Sequence, residues 1–402
     1  MFYMLKYGIV VLLRYIMVLT LLLSCSSTEN KVLQSENLHT IDLERCEYIE
    51  ELKTSFFCKE AVALLLEDNE ISKIGRIDKI EIIDNEIYIM DQMVARSLFV
   101  FDLKGKFISK VGQIGKGPGE YLSITDFAVD AKENSIFVLS YGKILKFSKN
   151  GNFIKSIDVD NNVIGIFWSS NTIFLKHLPT NSEDIKVISA INDNGKRLNA
   201  WLASEKYANG YYGNISFSRK PFTGDDQQVK FFTHFNNTVY CAQDGEVFPY
   251  LEVVAKNSFD QSDVKKYSEL KSKLGFGDDT EINELFKDKF WGIWNYYEVG
   301  KLMFIESRNN RFSARIIYNS ESEKSYYSYN IRNDEYGTRN LTILNSTDKD
   351  IIGTVENPNE RMNLLNKIKK GIIKSNNNIK EFEHNDNPII IFYRIKDAFS
   401  HD

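Results

Sequence analysis

Residue types able to do acid–base, nucleophilic or metal chemistry are thinly spread along this chain. Its five histidines, His39, His177, His234, His384 and His401, stand far apart, and none has a second ligand at the spacing tetrahedral zinc requires, so no structural metal is expected. The segment with the most glycine, Val111 to Tyr121 (VGQIGKGPGEY), brings a lysine among Gly112, Gly115, Gly117 and Gly119. It lacks the four-residue spacing before Gly-Lys-Ser/Thr, and no helical pattern follows, which removes the phosphate-loop reading. Those residues suit a sharp connection in which glycines take positive φ, Pro118 stiffens the turn and Glu120 accepts backbone N–H groups. Cys46, Cys58 and Cys241 are an odd set once Cys25 is set aside. At most one pair closes, Cys46 with Cys58, or all three are small buried hydrophobes.

Aromatic rings are the more promising chemistry. They make up 13% of the chain, and most of them must be core. Trp168, Tyr211, Tyr212, Trp291 and Trp294 fall in expected loops or strand edges, and are the candidate ligand contacts, able to stack on sugars or fill a protein hot spot.

What would position them is a repeated phrase, more worn in its third copy: a strand ending in an aromatic, a tight Gly turn and a second strand. It reads FDLKGKFISKVG from Phe101, FSKNGNFIKSID from Phe147 and INDNGKRLNAW from Ile191. The turn glycines Gly105, Gly151 and Gly195 are 46 and then 44 residues apart, the period of a four-stranded propeller blade. Glu86–Asp91, 135–139, 172–175 and 238–241 are β-branched and aromatic runs, each following or preceded closely by an Asn, and read as equivalent strands of successive blades. The fourth comes late, so its blade carries an insertion. Ser262 to Leu274 and Thr280 to Phe290 read as helices inserted between blades. Asn357 and Pro358 open a C-terminal helix near 358–374, with Met362, Leu365, Ile368 and Ile372 on one face. Pro388 to Lys396 and Ala61 to Leu66 are strong strands near the two ends, expected to share one blade and close the ring. The fold class is therefore all-β, a six-bladed β-propeller with four-stranded blades, a helical insertion near 262–290 and that C-terminal helix.

On Phe101-Asp102, Gly105-Lys106-Phe107-Ile108, Gly115 to Tyr121 with Asp126, Asn333-Asp334 and Asp386 to Ile390, the chain resembles the six-bladed β-propeller lipoproteins with NHL-like blades of Gram-negative bacteria. The resemblance covers roughly residues 60 to 396. It implies the fold and the anchoring, and carries no catalytic residue. Lys6 and Arg14 precede an apolar run, Tyr15 to Leu23, that is too short to cross a bilayer comfortably and ends at Leu22-Leu23-Ser24-Cys25. This looks like a lipoprotein signal peptide; the resemblance implies cleavage before Cys25, acylation there, and a lipid-anchored protein of the cell envelope, at the outer membrane. The expected organisation is a signal peptide at 1–24, a polar tether at 25–42 and a single propeller domain at 43–402.

The whole chain has a net charge of −5, and loss of residues 1–24 removes Lys6 and Arg14 and no acid. A mildly acidic surface offers nothing to nucleic acid. The function read from this is a displayed binding or interaction module for a glycan, a peptide or a partner protein, without a cofactor. Two alternatives stand beside it: a metal-dependent lyase or hydrolase using an axial site, for which Asp91, Asp126 and His177 are the imaginable contributors, and a scaffold subunit of an outer-membrane complex. The aspartates and the histidine occupy different phases of the repeat, which favours turn roles for the aspartates.

Overall fold

In the computed structural model the repeated phrase is the hairpin joining the third and fourth strands of a blade. Ser97–Asp102 pairs with Phe107–Val111, Lys143–Ser148 with Phe153–Asp158, and Lys186–Asn192 with Arg197–Ala203. Gly105, Gly151 and Gly195 each donate their N–H to the carbonyl three residues back, at 2.8–2.9 Å, with φ of +75°, +81° and +79°. Only glycine takes that conformation without strain, and the register shift beside each turn absorbs the extra residue. The structure describes residues 38–178, 186–203, 220–233, 236–274, 280–308, 313–334, 341–378 and 386–396. The signal peptide, Cys25, most of the tether, Tyr211 and Tyr212 lie outside the described residues.

Six small sheets form a ring, a six-bladed β-propeller. Blade 1 is Lys79–Ile83, Glu86–Asp91 and the first hairpin; blade 2 is Asp126–Asp130, Ser135–Ser140 and the second; blade 3 is Val163–Ser169, Thr172–His177 and the third. Blade 4 runs Phe222–Gly224, Val229–Phe232, Thr238–Gln243 and Glu246–Val254, so Thr238–Gln243 is its third strand and not the equivalent of Glu86–Asp91. The alternation of Val239 and Cys241 suits either position; only the sheet order separates them. Blade 5 begins with Ile293–Val299, Leu302–Arg308, Ser313–Asn319 and Ser325–Ser328.

Both ends of the chain build blade 6. Ile343–Ser346, Asp350–Val355 and Ile389–Ile395 are followed by Cys58–Leu64, antiparallel to Ile389–Ile395 with Ile391 opposite Ala63. The expected closure is therefore present. Asn387 fastens it: its Oδ1 accepts from Ile74 N–H at 2.7 Å, and its Nδ2 donates to the carbonyls of Glu67 and Ser72 at 2.9 Å. Asp334 does the same for the helical turn Thr54–Phe57, accepting from Ser55 N–H at 3.1 Å and Ser55 Oγ at 2.6 Å.

Blades 4, 5 and 6 have five strands, not four. The added strands of blades 4 and 5 come from an N-terminal strap that runs along the outer rim: His39–Asp42 pairs in parallel with Leu251–Val254, and Glu47–Tyr48 with Tyr326–Tyr327. In blade 6, Lys374–Ser375 adds a parallel fifth strand outside Cys58–Leu64. Residues 39–42, expected in the tether, are thus part of the sheet. An open edge leaves a row of unpaired backbone groups, and the strap satisfies part of that row on two blades.

Helices α1 (Gln261–Leu274) and α2 (Thr280–Leu285) form the insertion, between blades 4 and 5. Helix α3 (Pro358–Lys369) is an excursion inside blade 6, capped by the Asn357 side chain, which accepts from the N–H groups of Asn359 and Glu360. Its buried face is Leu364, Leu365 and Ile368, whereas Met362 and Ile372 are exposed. The helix ends before Ile372, and one turn of 3.6 residues rotates Met362 away from the sheet. None of Cys46, Cys58 and Cys241 forms a disulfide; Cys58 and Cys241 are buried. Among the described residues no helix is long and apolar enough to cross a membrane.

Candidate functional site

The first strands of neighbouring blades pack side by side around the axis, so side chains at their starts meet there. Lys79 of blade 1 donates from Nζ to Asp126 Oδ1 of blade 2 at 2.7 Å and to the Phe127 carbonyl at 2.8 Å. Asp126 Oδ2 accepts the Ile166 N–H of blade 3 at 2.8 Å. Lys220, just before blade 4, hydrogen-bonds Asn345 Oδ1 of blade 6, and its Nζ lies 3.4 Å from Glu81 Oε2. Asn345 Nδ2 closes the network on Glu81 Oε2 at 2.9 Å and on the Ile80 carbonyl at 2.7 Å. Gly165 permits this convergence, because a Cβ there would sit 2.7 Å from Pro221 Cγ.

Two ammonium groups and two carboxylates therefore neutralise one another at the axis. Burial pushes the Asp126 carboxyl up, against the pull of Lys79, and pushes the Lys220 ammonium down, against the pull of Glu81. This is a plug that joins blades 1, 2, 3, 4 and 6, with no open donor set for a cation. Among the described residues no group of three or more His, Cys, Asp and Glu is arranged to hold a metal ion. Asp91 serves a turn, accepting from the N–H groups of Gly75, Arg76 and Val94. His177 is buried in blade 3, 2.7 Å from Ser189 Oγ and 3.3 Å from Asn162 Oδ1. The spacing resembles a nucleophile, base and orienting group, but Ser189 is 1% exposed and no substrate reaches it.

A concave surface lies on the rim, where the strap crosses blades 4 and 5. A groove of 960 Å³ is bounded by the strap, the linkers on either side of the helical insertion, and the outer strands of blade 5. Its aromatic wall is a cluster of three tyrosines: Tyr48 of the strap, and Tyr327 and Tyr329 at the end of blade 5. Ring centroids are 5.0 Å apart for Tyr48–Tyr327, 5.5 Å for Tyr327–Tyr329 and 6.3 Å for Tyr48–Tyr329. Tyr48 is 52% and Tyr329 40% exposed, so both rings offer surface to the groove. Burial, with a hydrogen bond to Tyr329, pushes the Tyr327 hydroxyl up to about 12, which keeps it protonated as a donor at neutral pH. A second cavity of 750 Å³, lined by His39, Arg45, Glu47 and Tyr318 among others, lies against the same strap.

The aromatics singled out in the sequence are placed elsewhere. Trp168 stacks on Phe137 across the interface of blades 2 and 3, with centroids 4.8 Å apart and planes at 17°. Trp291 and Trp294 are buried in the core of the insertion with Phe259, Tyr267, Ile282 and Phe286. Trp291 donates from Nε1 to the Phe286 carbonyl at 3.2 Å. These three rings pack against protein, and sequence reasoning passed over Tyr48, Tyr327 and Tyr329. The run Tyr326-Tyr327-Ser328-Tyr329 carried a signal, since aromatics on both faces of an edge strand exceed what one core can bury. Tyr48 carried none.

The architecture recurs in a solved structure of low sequence identity. The family described as Domain of unknown function (DUF4934) matches residues 38–394. No curated protein matches the sequence. Among solved structures, a protein of Bacteroides fragilis described as exported is similar at a TM-score of 0.68 and 17% identity, over 90% of this chain and 100% of that one. A member of the DUF4221 family from Bacteroides vulgatus is similar at a TM-score of 0.49 and 10% identity, over 85% of this chain and 98% of that one.

Proposed function

Since the chain belongs to the DUF4934 family, whose description assigns no activity, we propose from its own geometry that it is an envelope-anchored binding module, a propeller lipoprotein acylated on Cys25 and held at the outer membrane. The observation that carries the binding part is the rim groove with its exposed tyrosine cluster: a concave surface with aromatic faces and several charged groups is what ligand recognition requires. The anchoring part rests on the Leu22-Leu23-Ser24-Cys25 sequence and on the similarity to a protein described as exported. The axial metal enzyme is disfavoured, because Lys79 and Lys220 occupy the positions a cation would need.

Two measurements test the proposal. Cys25→Ser in the full chain is expected to shift the protein from the membrane pellet to the soluble fraction; retention in the pellet would remove the lipid anchor from the reading. Cell-envelope extracts passed over the immobilised protein are expected to leave a ligand that Tyr48→Ala fails to retain. Equal retention by both proteins would move the binding site away from the groove.

A further inference from the structure

We infer that the groove takes a neutral oligosaccharide, an assignment that rests on the groove being the binding site. Six of its seventeen lining residues are charged, three acids (Glu44, Glu50, Asp288) and three lysines (Lys256, Lys287, Lys289). Lys289 Nζ is already paired with Asp263 Oδ2 at 2.7 Å and Lys287 Nζ with Glu284 Oε2 at 3.5 Å, so the groove gives a polyanion no net attraction. Lys, Glu and Asp are also the types depleted from protein–protein interfaces, whose fully buried centres are apolar, so a partner protein would have to desolvate these groups. A saccharide has the complementary chemistry. Its hydroxyls donate to carboxylates and accept from ammonium groups, and the C–H face of a pyranose lies on an aromatic ring without desolvating an ion.

The tyrosine cluster fits the second requirement. Tyr48 and Tyr329 expose ring area at the groove while their inner edges rest on Tyr327, so the platform is held before ligand arrives and little ordering is needed on binding. Tyr48 reaches this position through a two-residue parallel ladder, Glu47 with Tyr326 and Tyr48 with Tyr327. The 960 Å³ volume lies near the upper end of the usual range for small-ligand pockets, leaving room for several linked sugar rings.

The test is calorimetric titration of the full chain in detergent with cellohexaose, maltohexaose, mannohexaose and xylohexaose, against polygalacturonate and a mixture of extended octapeptides. At least one neutral hexasaccharide is expected to bind, with affinity falling by about tenfold or more in Tyr48→Ala and in Tyr329→Ala and within about threefold of wild type in the Tyr→Phe variants at the same positions. Because both rings are substantially exposed, the alanine variants are expected to keep the wild-type melting temperature. Peptide binding that is lost in Tyr48→Ala, or preference for polygalacturonate, would overturn the neutral-glycan assignment and leave the groove as a binding site. Absence of any saccharide binding would also overturn it. Saccharide binding unchanged in both alanine variants would overturn the assignment and the groove together.

Discussion

Lys176→Met is expected to stabilise the protein, by an amount that depends on pH in a defined way. Lys176 lies in the second strand of blade 3 and is 3% exposed. Its Nζ donates to the Phe232 carbonyl of blade 4 at 3.0 Å and lies 5.0 Å from the Phe232 ring centroid. Burial lowers its pKa from 10.5 to about 7. The folded state therefore binds fewer protons than the unfolded one between about pH 7 and 10.5, and stability rises with pH across that window. Below pH 7 both states are protonated and the penalty is constant. That lowering corresponds to about 5 kcal/mol, of which about 4 kcal/mol is felt at pH 7 and about 1 kcal/mol at pH 10. Replacing the ammonium by an apolar chain of similar length removes this penalty and loses one hydrogen bond worth about 1 kcal/mol. The net expectation is a gain of about 3 kcal/mol at pH 7, shrinking to nothing near pH 10. Urea unfolding of both proteins at several pH values between 7 and 10 measures it directly. A methionine variant less stable than wild type at pH 7, or a difference that does not vary with pH, would refute the reasoning.

Acid acts through the neighbouring side chain. His177 has its pKa lowered from 6.5 to about 4, mainly by burial, so stability should fall by up to about 3 kcal/mol as pH drops from 6.5 to 4; in His177→Gln that part of the loss should be missing from acid-unfolding curves. Leu364→Ala, in the fully buried side of helix α3, should cost about 2–5 kcal/mol, while Met362→Ala should stay within about 0.5 kcal/mol. Equal effects in chemical denaturation would mean that the helix face has been placed wrongly. Gly165→Ala forces a Cβ against Pro221 at 2.7 Å and should destabilise by about 1–3 kcal/mol, read as a lowered melting temperature; an unchanged one would show that the axial packing has slack.

Sequence reasoning reached what local pattern controls. The Gly turns at 105, 151 and 195, the alternating strands between them and the Asn357-Pro358 helix start depend on φ preferences and hydrophobic period within a dozen residues, and the structure follows them. The Ala61–Leu66 and Pro388–Lys396 strands were legible as a pair because a ring with one blade incomplete at each end has only one way to satisfy its edges. Reasoning of this kind failed where two positions share a local pattern. Thr238–Gln243 is third in its sheet, Met362 lies outside the buried helix face, and His39–Asp42 is a strand because Leu251–Val254 leaves an edge for it, despite a polar approach.

The chain by itself thus determined the blade and the closure of the ring, since both are set by short-range backbone preference and the burial of alternate residues. Tertiary structure alone decided the axial plug and the rim groove. Lys79 meets Asp126 across 47 residues and Lys220 meets Asn345 across 125, and Tyr48 meets Tyr327 from the other end of the chain. No local spacing encodes those meetings, because they follow from the curvature of the whole ring and from where the N-terminal strap lies upon it.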